Sequence, residues 1–172
     1  MKIGLISDTH ISKSRGKLSN KVLEAFKGMD LILHAGDINS QKVLDKLNQI
    51  APIIAVEGNN DRNNKSLNLK SVEIIEIHNL RILLTHGDKL PRGDYNKYFK
   101  FAQKHDANIL ISGHSHKPHL KKEKGILLVN PGSPNKPIKS EPSIAILTIN
   151  EKEKEEYASK LDQVNVKFIK IV

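Results

Sequence analysis

The chain has no cysteine and no tryptophan, and only 4% of its residues are aromatic. Without cysteine it can form neither a disulfide nor a metal site with thiolate ligands. It also lacks an apolar run long enough to cross a bilayer, because its longest hydrophobic stretches have the length of single strands. The first such stretch meets Asp8 too soon for a secretory signal. We therefore expect a cytoplasmic protein with no membrane segment.

The overall composition is that of a globular protein, with 38% hydrophobic and 27% charged residues. A length of 172 residues fits one domain over 1–172. The formal net charge of +9 would attract polyanions, and a nucleic-acid partner is therefore possible. Most of the basic residues are scattered lysines, however, and this pattern favours a solvated surface over a nucleic-acid groove.

A short apolar strand that runs into Gly, Asp, Asn or His occurs five times along the chain. The clearest case is Ile109–Ile111, which is followed by Gly113, His114 and His116. Taken singly, each case has a plain interpretation, such as a helix cap, a turn or a solvated loop. The other predicted strands of this kind are Lys2–Ile6, Leu31–Leu33, Ile53–Val56 and Arg81–Thr85.

The strand ends together supply seven oxygen and imidazole donors. In an open sheet with right-handed connections, the C-terminal strand ends gather along one edge, where ligands bind. Seven donors exceed the four of a tetrahedral zinc site, and they suit two adjacent ions that share a bridging carboxylate. With no thiolate present, the set indicates manganese, iron, zinc, cobalt or nickel. The donors are Asp8, His10, Asp37, Asn59, His86, His114 and His116.

The remaining helices and turns are predicted from hydrophobic periodicity and from the positions of capping and turn-forming residues. Helices are expected from about Leu18 to Gly28, after Ser40 and after Asp94. The aromatic residues that follow Asp94 have the spacing of a packed helix face, which favours core over base stacking. His34 is expected to be a hydrogen-bonded core histidine. Other expectations are hairpins at His78–Asn79 and Lys124–Gly125, an irregular segment over 62–70 and a charged connection over 151–156.

In order and spacing, the polar segments resemble those of the calcineurin-like metallophosphoesterases, and in particular the short, cap-less archaeal and bacterial phosphodiesterases. The resemblance covers nearly the whole chain, and Asn130-Pro131-Gly132-Ser133 also matches the pattern of that branch. It implies an α/β fold, a four-layer α/β/β/α sandwich of two facing mixed sheets flanked by helices. The segments that carry it are Asp8-Thr9-His10, Gly36-Asp37, Gly58-Asn59-Asn60-Asp61, His86-Gly87 and Gly113-His114-Ser115-His116.

The same resemblance implies two divalent metal ions, with manganese first and nickel, zinc, iron or cobalt as alternatives. By motif, one ion would be held by Asp8, His10, Asp37 and His116. The other would be held by Asp37, Asn59, His86 and His114, and these four are the residues that we expect to be catalytic. The implied activity is hydrolysis of a small phosphodiester by a hydroxide activated between the ions.

One position departs from the pattern of larger relatives, which place a histidine directly after the motif asparagine. This chain has Asn60 there, and an amide cannot act as a general acid. We therefore expect efficient cleavage only of esters with acidic leaving groups. Asp61, without that histidine, is expected to hold the loop, and His119 and Arg15 are the possible substitute acids.

Other functions stay open at this point. The resemblance extends to a retromer subunit that uses the fold as a protein-binding scaffold, although its metal-site histidines are incomplete, whereas every ligand position is filled here. A nuclease or phosphomonoesterase of the same superfamily is a further alternative, but the repair nucleases carry capping elements for which this chain has no room. A homodimer is plausible because the fold leaves sheet edges exposed.

Overall fold

The computed structural model describes residues 1–12, 16–150 and 159–171. The candidate acid Arg15 and the charged connection over 151–156 lie outside the described residues. The described residues form the strands β1 (Lys2–Ile6), β2 (Leu31–His34), β3 (Ile53–Ala55), β4 (Val72–Ile77), β5 (Leu80–Thr85), β6 (Ile109–Ile111), β7 (His119–Glu123), β8 (Ile126–Asn130), β9 (Ser143–Ile149) and β10 (Val164–Lys170). The helices are α1 (Asn20–Ala25), α2 (Gln41–Asn48) and α3 (Tyr95–Lys104), with 3₁₀ turns at Lys65–Leu67 and Lys160–Gln163.

The strands are arranged in two mixed sheets of five, with the orders β10-β9-β1-β2-β3 and β4-β5-β6-β8-β7. In the first sheet β1, β2 and β3 are parallel, while β9 pairs antiparallel to β1 and β10 antiparallel to β9. In the second, β5, β6 and β8 are parallel, and β4 and β7 are antiparallel edge strands. The two predicted hairpins are confirmed as β4–β5 and β7–β8.

Three hydrophobic clusters separate four layers, as the sandwich fold requires. Ile3 and Leu5 of β1 lie in the cluster between the sheets, whereas Ile6 faces the helices α1 and α2. On the opposite side of the molecule, α3 packs Phe99 against Leu110 of the second sheet. Each of these fully buried side chains contributes about 1.5–3 kcal/mol of hydrophobic stabilisation. The four-layer fold is therefore confirmed.

Several local expectations were wrong in detail. Helix α1 begins two residues later than Leu18, because Ser19 accepts the capping hydrogen bond from the Lys21 backbone, and it ends three residues before Gly28. Ser40 and Asp94 stand at the N-cap positions of α2 and α3, but neither side chain makes a capping hydrogen bond. Part of the segment over 62–70, expected to be irregular, forms one 3₁₀ turn. No helix in the described part of the chain is long and apolar enough to span a bilayer.

Hydrogen bonds beyond the ends of the parallel strands hold the polar segments of both sheets together. Backbone hydrogen bonds join the segments beyond β1 and β2, with Asp8 N donating to Gly36 O at 2.9 Å. In the second sheet, Gly113 N donates to His86 O at 3.0 Å. The backbone of His114 then donates to the Asp8 carboxylate at 3.0 and 3.2 Å, across from one sheet to the other. The strand ends therefore meet between two sheets, whereas the sequence analysis places them along one sheet edge.

Candidate metal centre

The Asp37 carboxylate lies at the centre of the polar side chains beyond the strand ends. Its Oδ2 is 3.4 Å from Nε2 of His10 and 3.5 Å from Nε2 of His86. His10 follows a strand of the first sheet and His86 follows a strand of the second. One oxygen of Asp37 is therefore within reach of donors from both sheets.

Three side chains converge with Asp37 to form a first group of donors. Nε2 of His116 lies 3.2 Å from both Asp8 Oδ1 and His10 Nε2. One donor atom from each of Asp8, His10, Asp37 and His116 lies within 4.8 Å of the other three. Donors about 2.1 Å from a shared octahedral ion would be roughly 3 to 4 Å apart, and these separations match that spacing.

A second group of donors lies on the other side of Asp37. Nε2 of His86 is 3.1 Å from Oδ1 of Asn59. The His114 ring packs edge-on against the His86 ring, with centroids 5.2 Å apart and planes 75° apart. All seven strand-end donors predicted from the sequence are thus brought together, and Asp37 stands between two groups of them.

Two of the imidazoles are oriented by backbone carbonyls. Nδ1 of His86 lies 2.7 Å from Ala35 O, and Nδ1 of His116 lies 2.5 Å from Lys136 O. With Nδ1–H donating to these carbonyls, Nε2 of each ring faces the carboxylates and, in the neutral ring, has the lone pair that binds a metal ion. This is the tautomer and the supporting hydrogen bond that histidine ligands of metals commonly have.

Five of the seven donors have a left-handed backbone conformation, which is uncommon for residues other than glycine. The φ values of this group run from 49° to 66°. Asp and His adopt this conformation more readily than bulkier residues, but it still costs stability and concentrates at functional sites. The five residues are Asp8, His10, Asp37, His114 and His116.

Two glycines leave the space that the carboxylates occupy. A Cβ built on Gly58 would lie 2.1 Å from Asp37 Oδ1, and one on Gly113 would lie 2.8 Å from Asp8 Oδ2. Neither glycine has a positive φ, so the close approach, and not backbone conformation, excludes a side chain. Together with the donor chemistry and spacing, this fit shows that the residues suit divalent cations.

Burial and mutual charge shift the titration of the central groups. Burial raises the pKa of Asp8 to about 6, against the opposing charges of His86 and His116. Burial also disfavours ionisation of Asp37, but the hydrogen bond and charge of His86 and hydrogen bonds from Asn60 outweigh it and lower the Asp37 pKa. Burial works against a charge on His86, yet Asp37 and Asp8 raise its pKa. A pocket with two buried carboxylates is electrostatically suited to cations.

The rim of the site is more open than its base. Asp8, Asp37 and His86 are buried, whereas Asn59 and Asn60 are exposed. The side-chain amide of Asn60 donates to Asp37 Oδ2 at 2.6 Å, and its backbone N–H donates to Oδ1 at 2.9 Å. Asn60 thus binds the carboxylate at the centre of the site and offers no titratable proton there.

Asp61 holds together the two loops that carry Asp37 and Asn59. Its buried carboxylate accepts hydrogen bonds from the backbone N–H groups of Ile38, Asn39 and Gly58, at 2.7 to 3.1 Å. The expected loop-holding role is consistent with these contacts. The sequence offered no sign of which loop it would bind.

We expect Asp61→Ala to lower the free energy of unfolding by about 3 kcal/mol or more, because two buried N–H groups and one partly buried N–H group lose their acceptor. Asp61→Asn retains one accepting oxygen and should lose less. Urea denaturation of both variants beside the parent chain measures the difference. Equal stability of Asp61→Ala and the parent would show that the loops do not depend on this carboxylate.

The segment after β8 supports the site in a way that residue spacing did not reveal. Asn130 donates to Gly113 O at 2.6 Å and to Ser115 Oγ at 3.0 Å. Ser133 Oγ donates to Asp8 O at 2.7 Å, and Ser7 Oγ donates to the Asp8 carboxylate at 2.8 Å. These contacts give a physical role to the Asn-Pro-Gly-Ser segment, which the sequence analysis noted as a family pattern alone.

The other histidines considered from the sequence have different surroundings. His34 is fully buried, and its Nε2 lies 3.2 Å from Thr9 Oγ1, as expected of a hydrogen-bonded core residue. His119, a possible substitute acid, stacks on Tyr95 with ring centroids 4.1 Å apart. Tyr98 and Phe99 are buried, which agrees with a packed helix face.

Comparisons with known proteins identify the family, the relatives and the solved structures to which this chain is similar. A family model described as the calcineurin-like phosphoesterase superfamily domain matches residues 1–152, which include all seven donors. A probable metallophosphoesterase from Methanothermobacter thermautotrophicus is 39% identical over 150 residues, 87% of each chain. A phosphodiesterase from Methanocaldococcus jannaschii is 30% identical over 170 residues, 89% of this chain and 96% of the relative. A mutant of Vps29 from Entamoeba histolytica has a crystal structure with a TM-score of 0.79 at 24% identity, covering 99% of both chains.

Proposed function

Because this chain belongs to the calcineurin-like phosphoesterase superfamily, we propose that it is a metal-dependent phosphodiesterase with two divalent ions at the site described above. The observation that carries the proposal is the position of Asp37 Oδ2, at nearly equal distances from His10 and His86. A carboxylate oxygen between two groups of metal-ligating donors is suited to bridge two cations. The relative named as a phosphodiesterase supports the choice of diesters.

The proposed division of ligands follows the family motif, and the contacts within each group support it. Asp8, His10, Asp37 and His116 would hold one ion, and Asp37, Asn59, His86 and His114 the other. Two divalent ions would lower the pKa of a water between them and neutralise charge on the phosphoryl oxygens. Manganese is our first choice, with nickel, zinc, iron and cobalt as alternatives, because the donors are imidazole, carboxylate and amide.

The chain's own contribution is positioning and charge. The buried carboxylates of Asp8 and Asp37 provide the negative charge that holds dications, and the backbone contacts of His86 and His116 keep their Nε2 atoms directed inward. Donors that are already oriented lose little entropy when the site is filled. The exposed rim at Asn59 and Asn60 leaves an opening for a small diester.

The alternative of a protein-binding scaffold is supported by the likeness in fold to Vps29. A single experiment separates the two functions. The purified chain is analysed for metal content and assayed on an aryl phosphomonoester, an aryl phosphodiester and cyclic nucleotides, with manganese, nickel, zinc or magnesium. We expect about two ions per chain and highest turnover on the aryl diester. A folded chain that binds no divalent ion and cleaves none of these substrates would favour the scaffold.

A further inference from the structure

A second pocket, of about 180 Å³, lies on the first sheet's side of the molecule at the N-terminus of α2. Ile11, Leu18 and Val43 supply its apolar part. Its polar lining includes three lysines and the hydroxyl of Ser40. The lysines are Lys17, Lys42 and Lys46.

Ser40 is unusual for a residue at a helix start. It stands at the N-cap position of α2 with an extended backbone, where a serine hydroxyl normally accepts a hydrogen bond from the first turn. Here the side chain makes no capping hydrogen bond and has no other partner, although the residue is only 1% exposed and lines the pocket. The hydroxyl oxygen itself is not among the fully buried atoms that lack a partner, so it is accessible from the pocket, where a ligand would supply a hydrogen-bond partner.

The three lysines bring three positive charges to one pocket, Lys42 from the first turn of α2 and Lys46 from its last turn. They are exposed, and none forms an ion pair within the part of the chain that the structure describes. The first turn of α2 contains Lys42 and no acidic residue. The N-terminus of a helix carries a partial positive charge and free N–H groups, so the helix dipole repels Lys42, and the three lysines repel each other. An anion in the pocket would convert this repulsion into attraction.

From these observations we infer that the pocket at the N-terminus of α2, with the unpartnered Ser40 hydroxyl and three unpaired lysines, is a binding site for a phosphate group. Its volume accommodates one phosphate, and the apolar part accommodates the group to which that phosphate is esterified. No carboxylate belongs to the described lining that would repel the anion. Tetrahedral oxyanions suit clustered ammonium groups, serine hydroxyls and helix N–H donors at the same time.

The pocket is separate from the metal ligands but close to them along the chain. Ile11 follows His10 directly, and Ser40 lies three residues beyond Asp37. A terminal phosphate of the substrate is therefore one source of the ligand, and free phosphate is the other. The assignment to the substrate rests on the proposed phosphodiesterase function, whereas the binding of phosphate does not.

The binding test uses the full chain without added metal, so that phosphate has no metal ion to bind. Inorganic phosphate is titrated into the ¹⁵N-labelled protein, and amide signals are followed by NMR. We expect saturable shifts at Gly16, Lys17 and Ser40, and about a tenfold or greater loss of affinity in the double variant Lys42→Ala/Lys46→Ala. The matched control is Lys100→Ala/Lys104→Ala, which removes the same charge from exposed lysines with the same spacing on α3.

Equal loss in both double variants would overturn the inference, because it would mean that net charge alone attracts phosphate. The absence of saturable shifts at these residues would overturn it as well. Ser40→Ala provides an independent arm: we expect several-fold weaker phosphate binding, with unchanged helix content by circular dichroism because Ser40 caps nothing. Unchanged phosphate affinity in this variant would contradict the role of the hydroxyl.

A kinetic arm distinguishes the two sources of phosphate. The metal-loaded parent and variants are compared on two aryl diesters that differ only in a terminal phosphate on the second ester group. For a substrate-borne phosphate, Lys42→Ala/Lys46→Ala should raise KM for the phosphorylated diester about tenfold more than for the other. Binding by NMR without this KM difference would assign the pocket to free phosphate. Failure of the parent to cleave either diester would refute the proposed function and leave the NMR result intact.

Discussion

Replacement of Asp37 by alanine is expected to release both metal ions and to lower kcat/KM on an aryl diester by about a thousandfold or more. The reason is geometric: Asp37 Oδ2 lies within 3.5 Å of imidazole nitrogens from both donor groups, so its loss weakens both sites at once. Metal analysis after gel filtration and steady-state kinetics measure the two effects. A variant that keeps full metal content and activity would refute the assignment of Asp37.

Two further variants separate the loss of negative charge at Asp37 from an effect on folding. Asp37→Asn preserves the shape and tolerates the left-handed backbone at φ 57°, yet removes the negative charge. We expect it to lose the ions nearly as completely as the alanine variant. Glu24→Ala removes a carboxylate of an exposed ion pair on α1 and should leave metal content unchanged. Similar metal loss in all three would indicate a general effect of charge.

Discrimination between leaving groups is the second large effect. We expect the chain to cleave an aryl diester at least about 10²–10⁴-fold faster than a simple alkyl diester, because general acid catalysis contributes about that factor where an acid is available. At the position following Asn59, the structure has an amide that donates to Asp37 and carries no proton that it could transfer. The ratio of kcat/KM for the two esters measures the effect, and equal rates on both would contradict it.

Substitution at position 60 tests the origin of that discrimination. Asn60→His introduces a group that can protonate a leaving oxygen, and we expect the aryl-to-alkyl ratio to fall by about tenfold or more. Asn60→Ala removes the same hydrogen bond to Asp37 without adding an acid, and it should slow both esters by a similar factor. An identical change of the ratio in both variants would show that the hydrogen bond to Asp37, and not a missing acid, sets the preference.

The two sheets end in the edge strands β3, β10, β4 and β7. Because an edge strand can pair with another chain, association between copies of this chain stays a prediction. Sedimentation of the purified chain would test it. A nucleic-acid partner, which the scattered lysines do not favour, would differ from a ligand of the phosphate pocket in the salt dependence of its binding. Binding to a nucleic-acid backbone would fall steeply with salt over many contacts, whereas a single phosphate in the α2 pocket would involve a few lysines.

The local sequence pattern carried much of the information about secondary structure. Apolar runs such as Ile109–Ile111 end where a glycine permits a turn, and this alone predicts a strand followed by exposed polar residues. The periodicity of Tyr98, Phe99 and Ala102 likewise predicts a helix with one buried face. Helix boundaries were less predictable, because Ser19 and not Leu18 determines the start of α1 through a hydrogen bond that composition does not specify.

The sequence by itself determined the kinds of donor, their order and their places at strand ends, because each of these depends on neighbouring residues in the chain. Tertiary structure alone decided that the ends of two separate sheets face each other and that Asp37 lies between His10 and His86. It also decided which carbonyls orient the imidazoles and that Asp61 joins two loops. The physical reason is that such contacts join residues tens of positions apart, and packing between layers, not local propensity, brings them within hydrogen-bonding distance.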